Sequence, residues 1–238
     1  VGFFLVSGRK ALSLSPRRFR PSGDVIRDIY RIGLPAIVMQ SLATFMTLGL
    51  NKIMALFSES AVFILGVYFK IQSFIFMPVF GLNNGLTPVV GYNYGARSRG
   101  RIVALIRFAL EIGAVIMAAG TLLLALFPHR FLQLFHAESN VLATGVSALR
   151  MISSGFVFAG VSVILCAAFQ AMGASMLSLA VSLSRQLVLI LPAALLLGRF
   201  SPRFMWLCFP IAELLSCLLA LLFYRKVYRE KLVPMSER

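Results

Sequence analysis

A stripe of polar side chains runs along one face of an otherwise apolar segment near the start of the chain. Successive members are four, three and four residues apart, and they are Gln40, Thr44, Thr47 and Asn51. This spacing places them on one face of an α-helix. Amides and hydroxyls form hydrogen bonds, so the chemistry on offer is non-covalent binding. In a membrane helix the stripe predicts either hydrogen bonds between helices or the wall of a binding cavity.

The next apolar segment adds polar side chains that lie close to aromatic and methionine residues. Gln72, Asn83 and Asn84 occur here, with Phe76 and Met77 nearby. Aromatic faces attract cations, and methionine adapts to irregular shapes. We therefore predict a cavity for amphipathic cations. Its predicted lining is Gln40, Thr44, Thr47, Asn51, Gln72, Phe76, Asn83 and Asn84.

Several charged residues lie deep inside apolar segments, where an unpaired charge is costly. They are Lys70, Arg107, Glu111, Arg185 and Glu213. Arg107 and Glu111 are four residues apart and can satisfy each other on one helix face. A proton-relay role for Glu111 is the alternative. Lys52 and Arg150 lie nearer segment ends, from which their long side chains reach water.

Arg185 and Glu213 lie at a similar depth in two consecutive predicted spans. Arg185 is about 13 Å from the cytoplasmic face and Glu213 is about 13 Å from the outer face, at a rise of about 1.5 Å per residue. In a core of about 30 Å the two depths therefore differ by only a few ångströms. The short connection 198–203 makes the two spans neighbours, so we predict an ion pair that pins them together. Lys70 and Glu111 form a second predicted pair at similar depth.

Residues suited to catalysis or metal binding are few and scattered. The cysteines, Cys166, Cys208 and Cys217, lie inside apolar segments and read as small buried hydrophobes. His129 and His136 have no cysteine at a metal-ligand spacing. The sequence suggests no Ser–His–Asp set and no catalytic pair of carboxylates. We therefore predict that the protein is not an enzyme and holds no metal or cofactor.

The composition is that of a membrane protein. Hydrophobic residues make up 59% of the 238 residues and charged residues 13%, against about 25% charged residues in soluble domains. The net charge of +15 comes from basic residues that flank the apolar blocks. That distribution indicates contact with a lipid bilayer rather than with nucleic acid.

Six segments are long enough to cross a hydrocarbon core of about 30 Å. They are Ile29–Phe57, Ala61–Val90, Ile102–Phe127, Val141–Gln170, Met176–Leu197 and Phe204–Tyr224. The predicted fold is an all-α integral membrane bundle of six transmembrane helices. Residues 1–24 are interpreted as the end of a preceding helix plus a basic linker, 25–231 as the bundle, and 232–238 as a tail.

The distribution of basic residues also predicts the orientation in the cell membrane. Basic loops remain in the cytoplasm, which places both ends of the six-span block there and residues 128–140 outside. The stretch Gly85–Arg101 then contains the end of the second span and a cytoplasmic loop, in which Gly91 and Gly95 supply the positive φ needed to leave a helix. Its characteristic residues are Pro88, near which the second span ends, and Gly91, Tyr92, Asn93, Tyr94 and Gly95.

The same stretch resembles a motif of one transporter family. Residues 88–96 read P-x-x-G-Y-N-Y-G-A and are similar to the C-terminal half of multidrug and toxic compound extrusion (MATE) transporters. FLQLFHAESNVLATGVSALRM (131–151), FQAMGASMLSLAVSLSRQLVLILPAALLL (169–197) and PIAELLSCLLALLFYRKVYREK (210–231) follow in the family's order. The resemblance covers about residues 25 to 231.

This resemblance implies a protein of twelve helices in two six-helix lobes, of which helices seven to twelve are present here. Such transporters rock between inward-open and outward-open states and exchange cationic or amphipathic drugs for H⁺ or Na⁺. The missing N-terminal lobe is then a partner, and it is the expected place of the coupling-cation site. Two alternatives remain: a lipid-linked oligosaccharide flippase of the same superfamily, and a non-transporting membrane subunit or inactive fragment. The uncharged stripe argues against the flippase, which would have charged cavity walls.

The orientation is testable by labelling single cysteines in a variant that lacks the native ones. Gly95→Cys should react with a membrane-impermeant maleimide only when the cytoplasmic side is exposed, and His129→Cys should react in intact cells. Reaction of Gly95→Cys in intact cells would contradict the predicted topology.

Overall fold

The computed structural model describes residues 22–137 and 139–235, and nearly all of them are helical. Most of the predicted linker, residues 1–21, lies outside the described residues, as do residue 138 and the end of the tail, 236–238. The predicted all-α fold is confirmed.

The helices follow the predicted order along the chain. They are α1 (Gly23–Phe57), α2 (Glu59–Gly95), α3 (Arg99–Leu126), α4 (Pro128–Leu134), α5 (Ser139–Ser153), α6 (Phe156–Ala171), α7 (Ser175–Leu183), α8 (Ile190–Phe200) and α9 (Cys208–Val227). A π-helical segment, Ser184–Leu189, joins α7 to α8. A 3-10 turn, Phe204–Leu207, precedes α9, and a second π-helical segment, Tyr228–Leu232, follows it.

These helices give five membrane spans, or the six predicted if one bent pair of helices counts as a single span. Five continuous segments are long and apolar enough to cross a membrane: Gly33–Phe57, Glu59–Gly95, Arg99–Leu126, Ser175–Phe200 and Phe204–Leu232. The fourth span in chain order consists of α5 and α6, which meet at a bend of 43°. We number the spans first to sixth along the chain.

The bend in the fourth span is a point of close contact with the sixth. A Cβ atom on Gly155 would lie 2.9 Å from the Cα atom of Pro210, so only glycine fits without a backbone shift. The hydroxyls of Ser153 and Ser154 donate hydrogen bonds to the carbonyls of Arg150 and Met151 at 3.1 and 2.7 Å. The break therefore keeps its backbone carbonyls paired, as a site in hydrocarbon requires.

The helix that carries the glycine- and tyrosine-rich stretch ends later than predicted. It continues past Pro88 to Gly95, and both Gly91 and Gly95 are helical, so the predicted positive φ at these glycines is wrong. The left-handed turn lies instead at Arg97, whose φ is 55°. Val90 is fully buried, and this packing favours continued helix beyond a proline that membrane helices tolerate.

Side chains of the last helical segment, Tyr228–Leu232, contact neighbouring elements at one end of the bundle. The guanidinium of Arg99 donates a hydrogen bond to the hydroxyl of Tyr228 and lies 5.1 Å from its ring centroid. Lys231 donates to the carbonyl of Met172 at 2.9 Å, and its ammonium lies 5.8 Å from the ring centroid of Tyr94. These contacts join the end of the sixth span to the turns that follow the second and fourth. We call this end of the bundle the basic end.

Arg185 and Glu213 join the fifth span to the sixth. Nη1 of Arg185 lies 3.4 Å from Oε1 and 3.5 Å from Oε2 of Glu213. The two side chains are 20% and 12% exposed, so both charges are largely removed from solvent. The structure thus places the predicted partners in contact. A buried charge at this depth depends on its partner, because it has few other groups to replace its water.

The second predicted pair does not form. Glu111 accepts a hydrogen bond from Nε of Arg107 at 2.9 Å, the i,i+4 contact that its spacing favours. Lys70 lies instead over the ring of Phe135, 5.4 Å from the centroid. Similar depth in the membrane predicted an ion pair between Lys70 and Glu111, but each side chain contacts a different residue. Arg150, interpreted as reaching water, is exposed and also donates from Nε to the carbonyl of Ala125 at 3.0 Å.

The contribution of the Arg185–Glu213 pair can be measured by thermal unfolding in detergent. Glu213→Gln leaves a buried guanidinium unpaired and should cost about 3–5 kcal/mol. The double variant Arg185→Gln/Glu213→Gln should recover most of that loss. Glu230→Gln is the control, since its exposed carboxylate lies 4.0 Å from Lys226 and such surface pairs contribute about 1 kcal/mol or less. Equal losses in the single and double variants would contradict the pairing.

The glycine at the bend of the fourth span gives a separate test. Gly155→Ala introduces a methyl group against the backbone of Pro210 and should destabilise the protein by about 1–3 kcal/mol, as overpacking does. Gly66→Ala is the matched control, because a Cβ atom there meets nothing within 4 Å. The comparison is made on melting temperatures in the same detergent. A normal melting temperature for Gly155→Ala would show that the contact is not tight.

Candidate binding cavity

A cavity of about 500 Å³ opens between the first, second, fourth, fifth and sixth spans. Its polar and charged lining consists of Gln40, Gln72, Ser73, Asn83, Asn84, Thr87, Ser162, Gln170, Ser182, Arg185, Gln186 and Glu213. Its aromatic and sulfur-containing lining consists of Met39, Met46, Tyr68, Phe69, Phe76, Phe80, Cys166 and Phe209. The cavity thus combines hydrogen-bonding groups with large apolar surfaces, the usual makeup of a small-molecule site.

The second span supplies much of the wall from a single helix face. Gln72, Phe76, Asn83 and Asn84 were predicted to line a cavity, and all of them do. Together with Phe80 they recur at intervals of three and four residues, which keeps them on one side of α2. Gln40 of the first span, also predicted, lines the cavity as well.

The rest of the predicted polar stripe on the first span lies outside the cavity wall. Asn51 donates its amide to the carbonyl of Thr47 at 2.8 Å, and the Thr47 hydroxyl donates to the carbonyl of Ala43 at 2.9 Å. Thr44 is exposed and does not line the cavity. Thr47 and Asn51 bond to the helix they belong to, so they need neither a cavity nor a neighbouring helix.

Two residues predicted to be only structural also form part of the wall. Arg185 and Glu213 line the cavity while they contact each other, and they are the charged members of the described lining. The π-helical segment carries Arg185 and Gln186 to the wall together, and such widened turns are frequent at functional sites. Arg185 and Gln186 are adjacent polar residues in an otherwise apolar segment, and this pattern could have indicated a polar wall at this position.

Two buried oxygens in the wall lack a hydrogen-bond donor from the described residues. They are Oδ1 of Asn83 and Oε1 of Gln186, and Gln186 is only 6% exposed. An unpaired buried acceptor costs about 1–3 kcal/mol. Water or a bound molecule that supplies an N–H or O–H group removes that cost, so both oxygens favour ligands with donors.

Two groups of aromatic rings form much of the apolar side of the cavity. The ring centroids of Tyr68 and Phe209 are 4.9 Å apart, and those of Tyr68 and Phe69 are 5.3 Å apart. Phe76 and Phe80 follow at 6.2 Å. Such rings bind apolar bodies by contact area and attract cations at their faces. Sequence reasoning missed Tyr68, which is buried.

The remaining predicted ionic residues, Lys70, Arg107 and Glu111, do not line the cavity. Within residues 22–137 and 139–235, the structure places no three His, Cys, Asp or Glu side chains where they would hold a metal ion. The arrangement therefore suits reversible, non-covalent binding of a molecule with an aromatic or aliphatic body and hydrogen-bond donors.

Comparisons with known proteins agree with this architecture. The chain matches the MatE family model over residues 35–196. It is 26% identical over 180 residues to the multidrug export protein MepA of Staphylococcus aureus, an alignment that covers 72% of this chain and 38% of that protein. The alignment thus spans well under half the length of that relative.

Solved structures show the same fold. A crystal structure of a MATE protein in the straight conformation superposes with a TM-score of 0.87 at 23% identity, over 94% of this chain and 51% of that one. A transporter of the MOP superfamily from Pyrococcus furiosus gives a TM-score of 0.87 at 24% identity, with the same coverage. The chain therefore has the length and fold of one lobe of these structures. Because the family model matches well over half of its residues, the chain belongs to the multidrug and toxic compound extrusion (MATE) family.

Proposed function

We propose that this chain is the C-terminal lobe of a multidrug exporter, and that its cavity is this lobe's share of the drug-binding site. The exporter exchanges cationic or amphipathic drugs for H⁺ or Na⁺ by alternating between inward-open and outward-open states. The N-terminal six-helix lobe is its partner within the transporter. Membership of the family and the similarity to multidrug export proteins of two Staphylococcus species support this proposal.

The composition of the cavity wall carries the proposal. Amide groups from Gln40, Gln72 and Asn84 alternate with aromatic rings and methionines, and unpaired acceptors lie at Asn83 and Gln186. Protonated amines donate hydrogen bonds to such acceptors, while their apolar bodies pack on the rings. Methionine side chains adjust to ligands of different shape, as a site with several substrates requires.

The coupling cation is proposed to bind in the N-terminal lobe. In the described part of this lobe, the cavity wall holds one carboxylate, that of Glu213, and Arg185 already neutralises it. Glu111, the alternative proton carrier, pairs with Arg107 on the exposed side of the third span. Neither carboxylate is available as an unpaired cation ligand.

The flippase alternative receives less support. A lipid-linked oligosaccharide carries phosphate, and its transporter would present unpaired basic groups to the cavity. Here the single arginine of the described lining contacts a glutamate, and the two charges cancel. The relatives named as multidrug export proteins also favour drug export.

Bulky substitutions on the first span test whether the cavity binds drugs. Gln40→Phe fills part of the cavity and should lower resistance of cells to some cationic drugs several-fold while leaving others nearly unchanged. Thr44→Phe is the matched control, since Thr44 lies one turn away and does not line the cavity. Inhibitory concentrations are compared with protein levels measured in the same membranes.

A changed drug profile at normal protein levels, seen only with Gln40→Phe, is the expected result. If both variants leave every resistance unchanged, the cavity is not the drug site. If the two-lobe transporter that contains the unmodified lobe confers no resistance to any cationic drug, the alternative of a non-transporting membrane subunit replaces the proposal.

A further inference from the structure

The outward face of the sixth span changes from apolar to basic along its length. Leu214, Leu218 and Leu222 are 40%, 50% and 59% exposed on this face. The opposite face packs into the bundle through residues that include Ala212, Ser216 and Ala220, all of them fully buried. The side of this helix that carries the three leucines therefore makes little contact with the rest of the lobe, over a length close to that of a membrane leaflet.

The leucines lead directly to two exposed arginines at the basic end. Leu218, Leu222, Arg225 and Arg229 follow each other at intervals of four, three and four residues, so they form one continuous stripe. From Leu214 to Arg225 the stripe is about 16 Å long at about 1.5 Å per residue. This length is close to half of a hydrocarbon core of about 30 Å. The stripe thus matches the depth of one lipid leaflet.

A shallow groove of about 510 Å³ lies where the leucines meet the arginines. It is lined by Leu222, Arg225, Lys226, Arg229 and Glu230. Three basic groups against one acidic group give the groove a net positive charge. Glu230 lies 4.0 Å from the ammonium of Lys226, which leaves that acid committed to a neighbour on its own helix.

Arg225 and Arg229 have no carboxylate within 4.0 Å among residues 22–137 and 139–235. Two other basic groups at this end are already engaged, since Arg99 bonds to Tyr228 and Lys231 to the carbonyl of Met172. Arg225 and Arg229 both line this groove, so their guanidinium groups can bind one phosphate together. Arginine is suited to this because its planar fork donates paired hydrogen bonds to phosphate oxygens.

We propose that this groove binds one anionic glycerophospholipid, with its phosphate between Arg225 and Arg229 and an acyl chain along Leu222, Leu218 and Leu214. The leucine stripe favours a lipid over a free phosphate, because leucines that face the bilayer beside the arginines lie next to acyl chains, which only a lipid carries with its phosphate. The net positive charge of the groove favours an anionic headgroup over a zwitterionic one. The site lies outside the cavity and does not depend on the proposed transport function.

Native mass spectrometry of the purified protein in a neutral detergent tests the site. Titration with phosphatidylglycerol should show one molecule held more tightly than any phosphatidylcholine. Arg225→Gln/Arg229→Gln should weaken that binding about 30-fold, the effect expected when two basic groups are lost at a membrane surface. The control Arg97→Gln/Arg101→Gln removes the same charge from exposed positions that do not line the groove, and it should keep the affinity within about threefold.

Three results would overturn the proposal. Phosphatidylcholine retained as tightly as phosphatidylglycerol would show that headgroup charge is not recognised. Equal weakening by the control variant would reduce the effect to the overall positive charge of the protein. Binding of soluble glycerol phosphate as tight as that of the lipid would show that the leucine stripe takes no part. Circular dichroism on each variant ensures that a loss of binding is not a loss of folding.

Discussion

A charged side chain inside a membrane span needs a partner within the protein, because no water is there to solvate it. The Arg185–Glu213 contact meets this requirement, and both the packing of two spans and the charge of the cavity depend on it. The contact spans 3.4 Å between the fifth and sixth spans. It lies beside the π-helical segment Ser184–Leu189, which carries both Arg185 and Gln186 to the same wall. One ion pair therefore holds two helices together and also sets the electrostatics of the space between them.

The neutral character of the cavity has a consequence for recognition. Because its two described charges cancel, the wall attracts ligands through aromatic faces and hydrogen-bond acceptors more than through net charge. The unpaired oxygens of Asn83 and Gln186 select for donors, and the rings around Tyr68 and Phe76 select for apolar bodies. A site of this kind accepts many shapes at moderate affinity, which is what the proposed exporter needs.

Much of this arrangement was predictable from the sequence, because a small number of physical constraints determine where membrane helices occur and which buried charges need partners. Apolar length alone predicted six spans, and equal depth on neighbouring spans placed Arg185 beside Glu213. The same argument was wrong for Lys70, since depth does not specify the helix face and Phe135 lay closer. Helical spacing correctly predicted that Gln40 lines a cavity. It was wrong for Thr47 and Asn51, because their side chains donate hydrogen bonds to backbone carbonyls in the preceding turn of their own helix. The bend at Gly155 and the turn at Arg97 depend on tertiary packing that spacing does not encode.

The cavity is proposed to be open to water and to bind organic cations, and a cysteine introduced at Ser73 measures both directly. Ser73 lines the cavity and is exposed, whereas the native cysteines Cys166, Cys208 and Cys217 are buried. In a Ser73→Cys protein in which these three cysteines are replaced by alanine, a water-soluble thiol reagent should modify the introduced thiol, and tetraphenylphosphonium should slow that reaction in proportion to its occupancy. An unreactive thiol at this position, or a rate that tetraphenylphosphonium leaves unchanged at saturating concentration, would show that the cavity is closed to water or does not bind organic cations.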